Sequence, residues 1–186
     1  MIEGNQQELM SKLHNAEIDV ALTYDLQLDK DIHFEVLSHL PPHVLVSELH
    51  PLARQLVTNF EELATEPMVL LDLPMSRDYF MSLLSQAGVE PNIAARSRSD
   101  DVVRSMVANG LGYALFNARP KSTQSLDGKR FVRLRLAGEH RPMLLGLATY
   151  VPVKQSRVTQ IFMERCRAYI SDQYIPGMSA PSFFEP

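Results

Sequence analysis

One pattern of apolar and polar positions occurs twice in this chain, in residues 8–23 and again 93 residues later in residues 101–116. In each copy, apolar residues at helical spacing lead to a tight turn and then to a short buried strand. The strand positions match one to one, pairing Ile18 with Leu111, Val20 with Tyr113, Ala21 with Ala114 and Leu22 with Leu115. Two similar units predict two similar lobes with a cleft between them.

The rest of the pattern predicts strands and helices in alternation. Helices are expected at 8–15, 59–63 and 77–87, after Ser99, and in an amphipathic segment through 158–170, with strands at 17–23, 32–37, 44–49, 68–73, 92–98, 131–136 and 143–151. This alternation predicts an α/β fold with mainly parallel sheets, in which ligands bind beyond the carboxyl ends of the strands. Residues 173–186 have no periodicity and are expected to form a loosely ordered tail.

Composition narrows the class of protein. Of the 186 residues, 45% are hydrophobic and 22% are charged, as in an ordinary globular protein, and the net charge of −4 gives no general attraction to nucleic acid. The lone cysteine, Cys166, cannot form an intramolecular disulfide, and its inward place on the last helix predicts an inert thiol. The sequence shows neither a signal-peptide pattern nor an apolar run of about 18 residues. We therefore expect a cytoplasmic protein without a membrane segment.

Motifs that indicate catalysis or a bound cofactor are absent from the sequence. It contains no Gly-x-Ser-x-Gly elbow, phosphate-binding glycine loop, dinucleotide fingerprint or His-Glu-x-x-His pair. The histidines, at positions 14, 33, 39, 43, 50 and 140, are scattered, and none pairs with a carboxylate at metal-ligand spacing on one helix. The chain is therefore predicted to have no enzymatic activity, no cofactor and no metal ion.

Four stretches, taken in order, resemble a known family. They are residues 17–22 (EIDVAL), 50–53 (HPLA), 66–71 (EPMVLL) and 107–115 (VANGLGYAL). Together they resemble the effector-binding domain of LysR-type transcriptional regulators, and the resemblance covers residues 3–172. It implies a fold like that of a type 2 periplasmic binding protein, with two α/β lobes joined by crossover segments and a small effector between them.

The resemblance also implies a domain organisation. Lobe I would comprise residues 1–66 and 143–172, and lobe II residues 67–142, with crossings near Glu66 and Pro142. The first strand, first helix and most of the second strand of lobe I would precede Met1, as would a linker helix and a winged helix-turn-helix. Because the family's first helix helps to form its dimer, a homo-oligomer is implied, which contacts DNA only through a domain absent from this chain.

Side chains at the carboxyl ends of the two repeated strands are the first candidates for effector binding. These are Thr23 and Tyr24 after the first copy, and Phe116 and Asn117 after the second. Hydroxyl, amide and aromatic groups at such strand ends can hold a small ligand without any chemical step. The alternative is that Thr23 and Asn117 satisfy backbone groups in turns, while Phe116 packs in the core.

Two predicted helix starts supply further candidates. Ser76 and Arg77 open the helix at 77–87, where free N–H groups and the helix dipole favour an anion such as an effector carboxylate. The alternative is that Ser76 is an ordinary N-cap beside a solvated arginine. Ser99 opens the next helix, and for this residue the capping role alone is favoured.

A basic group follows the second repeat, formed by Lys129, Arg130, Arg133, Arg135 and Arg141. It could contact a partner subunit, RNA polymerase or an anion. A solvated strand face is the favoured interpretation, because charged faces are usually just exposed.

The resemblance implies the effector-sensing domain of a LysR-type transcriptional regulator, and Tyr24, Phe116, Ser76 and Arg77 are compatible with a small organic anion, including an aromatic one, as its effector. One alternative is a solute-binding protein of the same fold that delivers a small anion to a transporter. Another is a dehydratase on the same scaffold, which needs a cleft carboxylate with a shifted pKa that the sequence does not single out.

Overall fold

The computed structural model describes residues 1–179, which form two compact units. Unit 1 contains residues 1–40 and the segment from residue 142 onward, and unit 2 contains residues 41–141. The chain enters this second compact unit at Pro41, ahead of the predicted crossing near Glu66, and leaves it after Arg141, at the predicted return near Pro142. Residues 43–47 already pair with two strands of unit 2, so the segment 41–66 belongs to unit 2.

The elements are numbered in chain order. They are α1 (Gln6–His14), β1 (Ala21–Tyr24), β2 (Ile32–Leu40), β3 (His43–Ser47), β4 (Val57–Thr58), α2 (Phe60–Leu63), β5 (Pro67–Leu71), α3 (Pro74–Gln86), β6 (Asn92–Ser97), α4 (Asp100–Ala108), β7 (Ala114–Phe116), β8 (Phe131–Leu136), β9 (Met143–Tyr150) and α5 (Arg157–Tyr169), with a 3₁₀ turn at Pro51–Arg54. Helices and strands alternate through much of the chain, as the apolar pattern predicts.

Unit 1 contains a three-stranded sheet in the order β1–β9–β2. Helix α1 contributes Met10 and Leu13 to a core that also holds Ala21, Ile32 and Ala148 of the three strands. These two side chains lie three positions apart and so share one face of the helix. The apolar spacing of α1 thus places its buried face on the sheet.

Unit 2 contains a four-stranded sheet in the order β4–β8–β3–β7, and a parallel bridge between Met68 and Tyr113 joins it to the pair β5–β6. All five residues of β3 are buried, so both faces of this strand are covered. One face packs with Phe60, Leu63, Phe80, Leu83 and Leu84 of α2 and α3. The opposite face, which carries Leu45, Phe116 and Phe131, packs with Val103, Val107 and Ala108 of α4.

The prediction of mainly parallel sheets is wrong for the described strands. β9 runs antiparallel to both β1 and β2, and β3 runs antiparallel to both β7 and β8. Parallel pairing joins β4 to β8 and β5 to β6. The physical reason in unit 1 is that β2 carries the chain out toward unit 2 and β9 brings it back beside β2, so the two must run in opposite directions.

The end of the described chain is more ordered than the predicted tail. Ile175 is buried, and the backbone of Ser171 pairs with that of Tyr174. The remainder of the predicted tail, residues 180–186, lies outside the described residues. Among residues 1–179, no helix has both the length and the apolar character needed to cross a membrane.

Candidate functional site

The end of β1 presents Thr23 and Tyr24, and one side chain of α1 holds both. The hydroxyl of buried Thr23 donates a hydrogen bond to the side-chain carbonyl oxygen of Gln6. The side-chain nitrogen of Gln6 donates to the backbone carbonyl oxygens of Tyr24, at 2.8 Å, and Leu26, at 3.2 Å. Gln6, which the sequence pattern did not indicate, therefore fixes both the strand end and the candidate hydroxyl.

The end of β7 presents Phe116 and Asn117, and both side chains are buried. The guanidinium carbon of Arg104 lies 4.9 Å from the centre of the Phe116 ring, a cation–π contact. The side-chain amide of Asn117 donates to the hydroxyl oxygen of Tyr79 at 3.2 Å, and that hydroxyl donates to the carbonyl oxygen of Arg141 at 2.6 Å. Tyr79 belongs to α3, so hydrogen bonds connect this strand end to a second element of unit 2.

Ser76 and Arg77 lie within α3 rather than at its start. The helix begins at Pro74 and has no side-chain cap, so the prediction that Ser76 is the N-cap is wrong. Proline suits the first helical position because its φ is fixed and its missing N–H would have no partner there. Arg77 is paired with Asp72 at 3.1 Å and with Asp78 at 3.3 Å, and these hydrogen bonds raise the pKa of Arg77. Its charge is already matched by carboxylates, and an effector contact by this pair stays a prediction.

Ser99 is the N-cap of α4, which confirms the capping role that the sequence favoured. Its hydroxyl accepts a hydrogen bond from the backbone N–H of Val102 at 3.5 Å. The candidates are thus divided between the units: Thr23 and Tyr24 lie in unit 1, whereas Ser76, Arg77, Ser99, Phe116 and Asn117 lie in unit 2.

The basic group of residues 129–141 does not behave as one solvated face. Arg130 and Arg135 are exposed, as that interpretation predicts. Arg133 instead donates to the carbonyl oxygen of Ser122 at 2.9 Å, and its guanidinium carbon lies 5.9 Å from the centre of the Phe131 ring. The interpretation is therefore wrong for Arg133, because its side chain lies with Phe131 on the face of the sheet that packs against α4.

Arg133 belongs to a basic cluster of unit 2, the arginine–histidine cluster, formed by His43, Arg104, Arg119 and Arg133. His43 is 3% exposed and Arg104 is 9% exposed. Burial, and then the charges of Arg119 and Arg133, hold the pKa of His43 well below its usual range, so its imidazole is neutral near pH 7. Burial, followed by the charges of Arg119 and Arg104, lowers the pKa of Arg133. Positive charge is therefore concentrated around the buried His43, on Arg104, which is buried, and on Arg119 and Arg133, which are half-buried.

Comparison with known families identifies the domain. The profile of the LysR substrate binding domain matches residues 1–171. The chain belongs to this LysR family. The HTH-type transcriptional regulator MetR of Escherichia coli (strain K12) is 24% identical over 178 residues, which are 94% of this chain and 55% of that protein. The LysR domain thus spans about half the length of this curated relative.

Solved structures agree with the family. HinK, a LysR family transcriptional regulator from Pseudomonas aeruginosa, superposes with a TM-score of 0.85 at 36% identity, over 91% of this chain and 59% of that one. The effector binding domain of QuiR in complex with shikimate gives a TM-score of 0.77 at 20% identity, over 92% of this chain and 81% of that one. These likenesses confirm the predicted α/β fold of the type 2 periplasmic-binding-protein kind. The domain is the effector-binding domain of a LysR-type regulator, and the solute-binding alternative is not favoured.

A second cluster of the LysR domain combines His14, Asp29 and Asp31 in unit 1. The Nε2 atom of His14 lies 3.3 Å from an oxygen of Asp31 and 3.6 Å from an oxygen of Asp29. Their donor atoms all lie within 4.8 Å of one another, close enough to hold a metal ion. The same geometry suits an ion pair between a protonated His14 and two carboxylates. The ligands come from the end of α1 and from the segment before β2, which is why spacing along one helix did not reveal them.

Proposed function

We propose that this domain binds a small organic anion through the residues at the ends of β1 and β7, and that binding controls the regulator to which the domain belongs. The match of residues 1–171 to the LysR family carries the proposal. Thr23 and Asn117 support it, because each lies at the end of a strand, where α/β domains commonly hold ligands. The QuiR domain, which holds shikimate, is an example of a small carboxylate bound by this fold.

In this proposal the effector acts through differential binding. Each unit offers its own candidate groups, namely the Thr23 hydroxyl at the end of β1 in unit 1, and the Asn117 amide and the Phe116 ring at the end of β7 in unit 2. An effector that binds one conformation of the domain more tightly shifts the equilibrium toward that conformation. A ligand with equal affinity for both conformations has no regulatory effect, however tightly it binds.

Ligand-dependent stabilisation tests the proposal. A library of small carboxylic acids and neutral metabolites is screened for compounds that raise the thermal unfolding midpoint, since a ligand at 100 times its Kd adds about 2.7 kcal/mol to the free energy of unfolding. Thr23→Ala and Phe116→Ala should each reduce the response, whereas Thr23→Ser, which keeps the hydroxyl, and Phe116→Leu, which keeps an apolar side chain, should retain more of it. An undiminished response in both alanine variants would place the effector elsewhere.

The proposal extends to the partners of the regulator. We infer a cytoplasmic homo-oligomer that contacts DNA through a part of the protein outside this chain. The exposed Arg130 and Arg135 are the residues of this domain that we propose for a contact with RNA polymerase. A gel-shift assay with this chain should show no specific DNA binding, whereas light scattering of the whole regulator should show an oligomer. The domain should also leave prephenate-like acids unchanged, and turnover would instead support the dehydratase alternative.

A further inference from the structure

The arginine–histidine cluster brings together side chains from distant parts of the sequence of unit 2. His43 opens β3, Arg104 lies in α4, Arg119 follows β7 and Arg133 lies in β8. Leu45 pairs directly with Arg133 across the sheet, and His43 lies two residues before Leu45. Because side chains two apart in a strand share a face, His43 and Arg133 lie on the same side of the sheet. That side is the one that packs against α4.

Several nitrogen atoms of the cluster have no hydrogen-bond partner among residues 1–179. They include the Nε atoms of Arg104 and Arg133. The ring nitrogens of His43 are also buried, and the backbone of Pro41 is the hydrogen-bonding group beside them. His43 is 3% exposed, so water does not readily reach this part of the cluster. Buried polar groups in native proteins are nearly always hydrogen-bonded, and a group of unsatisfied donors calls for a specific explanation.

Charge within the cluster is also incompletely matched. Arg104 pairs with Asp100 at 3.2 Å and with Asp101 at 3.3 Å. Arg133 donates to the backbone carbonyl oxygens of Ser122 and Pro120, and no carboxylate among residues 1–179 forms an ion pair with it. A half-buried arginine that has backbone carbonyl partners but no carboxylate, as Arg133 does beside Arg104, is unfavourable for the unliganded protein.

We propose that His43, Arg104, Arg119 and Arg133 form an anion subsite that binds a compact oxyanion of the effector. This inference rests on the proposed function, because it assigns the negative group of that effector to a place in unit 2. The arginines offer N–H donors and positive charge, and the neutral imidazole of His43 offers one further N–H. Phe116, beneath Arg104, connects the subsite to the candidate strand end. The sequence pattern instead predicted that the effector carboxylate binds at the helix start of Ser76 and Arg77.

Two variants of β8 test the subsite. Arg133→Met removes a charge of the cluster, and Arg135→Met removes an exposed charge two residues away as the matched control. Thermal unfolding of the 186-residue chain is followed in acetate or inorganic sulfate, with chloride at the same ionic strength as the reference. We expect saturable stabilisation of the wild type and of R135M, and an apparent Kd about tenfold or more higher in R133M, because a charge-assisted bond is lost.

A purely structural role for Arg133 predicts a different result in chloride. In our proposal R133M unfolds a few degrees higher than the wild type without an oxyanion, because a half-buried cation without a carboxylate partner is gone. An R133M that is less stable than the wild type and keeps the full oxyanion response would overturn the proposal. Tighter binding of acetate would assign a carboxylate to the subsite, and tighter binding of sulfate would assign a tetrahedral oxyanion.

A measurement on the wild type keeps the proposal testable if R133M does not fold. The ¹⁵N resonances of the His43 ring, assigned by their loss in His43→Gln, should shift saturably with sulfate or acetate, and unchanged resonances contradict the subsite. A library effector that stabilises the wild type and R133M equally would contradict the anion subsite and would still support the proposed function. An oxyanion response with no effector response would contradict the proposed function alone.

Discussion

The two copies of the helix–turn–strand pattern form the same local structure in different surroundings. Helices α1 and α4 are both nine residues long, and each begins after a side-chain N-cap, Asn5 or Ser99. Their C-caps, Asn15 and Asn109, have nearly the same backbone angles. The helices start 94 residues apart but the strands start 93 apart, so the first turn is one residue longer. Local sequence thus determines the helix and its ends in both units.

The copies differ in what lies beside the strand. β7 pairs with β3, and the neighbouring Tyr113 forms a bridge to β5 through N–H···O bonds with Pro67 and Val69. Among residues 1–179, β1 pairs with β9 alone. Gly112 marks the difference, because a Cβ there would lie 2.0 Å from the carbonyl oxygen of Pro67. The matching position in the first copy is the exposed Asp19. A neighbouring strand, rather than the turn itself, requires the glycine.

The largest expected effect is that of Gly112→Ala. This substitution combines a φ of 144° with a direct clash against the backbone, so we expect the free energy of unfolding of unit 2 to fall by about 3 kcal/mol or more. Asp19→Ala at the matching position should change the stability of unit 1 by less than about 0.5 kcal/mol. Urea unfolding with segment-resolved hydrogen exchange measures both, and equal losses would refute the role given to the neighbouring strand.

The second largest effect should be a difference between the two units in how their free energy of unfolding depends on pH. The folded-state pKa of His43 is below its ordinary value of 6.5, so below that pH the unfolded chain binds a proton that the native unit 2 does not. Its free energy of unfolding therefore falls as the pH falls through 6.5, by up to about 1.4 kcal/mol per pH unit until the folded-state pKa is reached. In unit 1, the hydrogen bond from Arg167 lowers the pKa of Glu35, and that stabilisation is lost only below the ordinary value of 4.5.

Hydrogen exchange of β3 and β1, measured at pH 7 and at pH 5.5, reports these changes for each unit. His43→Gln should flatten the response of unit 2, since an amide does not titrate in this range. A response in His43→Gln as steep as in the wild type would assign the pH dependence to another group.

The two N-caps should differ by a smaller amount. Asn5 forms a capping box, accepting from the N–H of Glu8 at 3.0 Å while its own N–H donates to the Glu8 carboxylate at 2.9 Å. Ser99 makes one capping bond, at 3.5 Å. We expect Asn5→Ala to cost about 1–2 kcal/mol and Ser99→Ala about 0.5 kcal/mol. Thermal unfolding of both variants checks the order, and a larger loss in Ser99→Ala would contradict it.

The smallest expected effects come from exchanging the residues after the C-caps. Ala16 has a φ of 54° and Gly110 a φ of 82°, and both lie in the left-handed region that favours glycine. Ala16→Gly should therefore stabilise unit 1 by about 0.5–1 kcal/mol, and Gly110→Ala should destabilise unit 2 by about 1 kcal/mol. A Cβ at Gly110 meets nothing within 4 Å, so the backbone conformation alone is tested. Changes of the same sign in both variants would contradict the equivalence of the turns.

Periodicity predicted most elements but not the pairing of strands. The strand at Phe131–Leu136 and the helix after Ser99 were predicted with their correct starts, because alternation and an N-cap are local signals. The first repeated strand starts at Ala21 rather than at residue 17, since Ile18 still belongs to the turn that follows α1. Strand direction and the crossing at residue 41 depend on contacts between distant segments, which local patterns do not encode.

Prediction of the candidate site was limited in the same way, because local patterns do not encode contacts between distant segments. Thr23 and Asn117 were predicted from their places at strand ends, and both are buried. His43 and Arg104 were missed because charged or titratable side chains are rare on a buried face. From the sequence alone, such residues are expected at the surface. The available signals were a histidine directly before three apolar strand residues and an arginine three positions before the inward Val107. Neither signal has a functional meaning until the fold places the two side chains together.

The hydrogen bonds of Gln6 have a consequence for ligand selectivity. Because the Thr23 hydroxyl already donates to the Gln6 amide, an incoming molecule exchanges one internal hydrogen bond for another and does not displace bulk water. A compound that accepts from Thr23 but leaves the Gln6 carbonyl oxygen without a donor gains little, since the cost of an unmatched buried acceptor offsets the new bond. A compound that carries a donor and an acceptor side by side satisfies both groups. At the effector site proposed above, we therefore expect hydroxy acids and similar ligands to bind more tightly than simple acids of the same size.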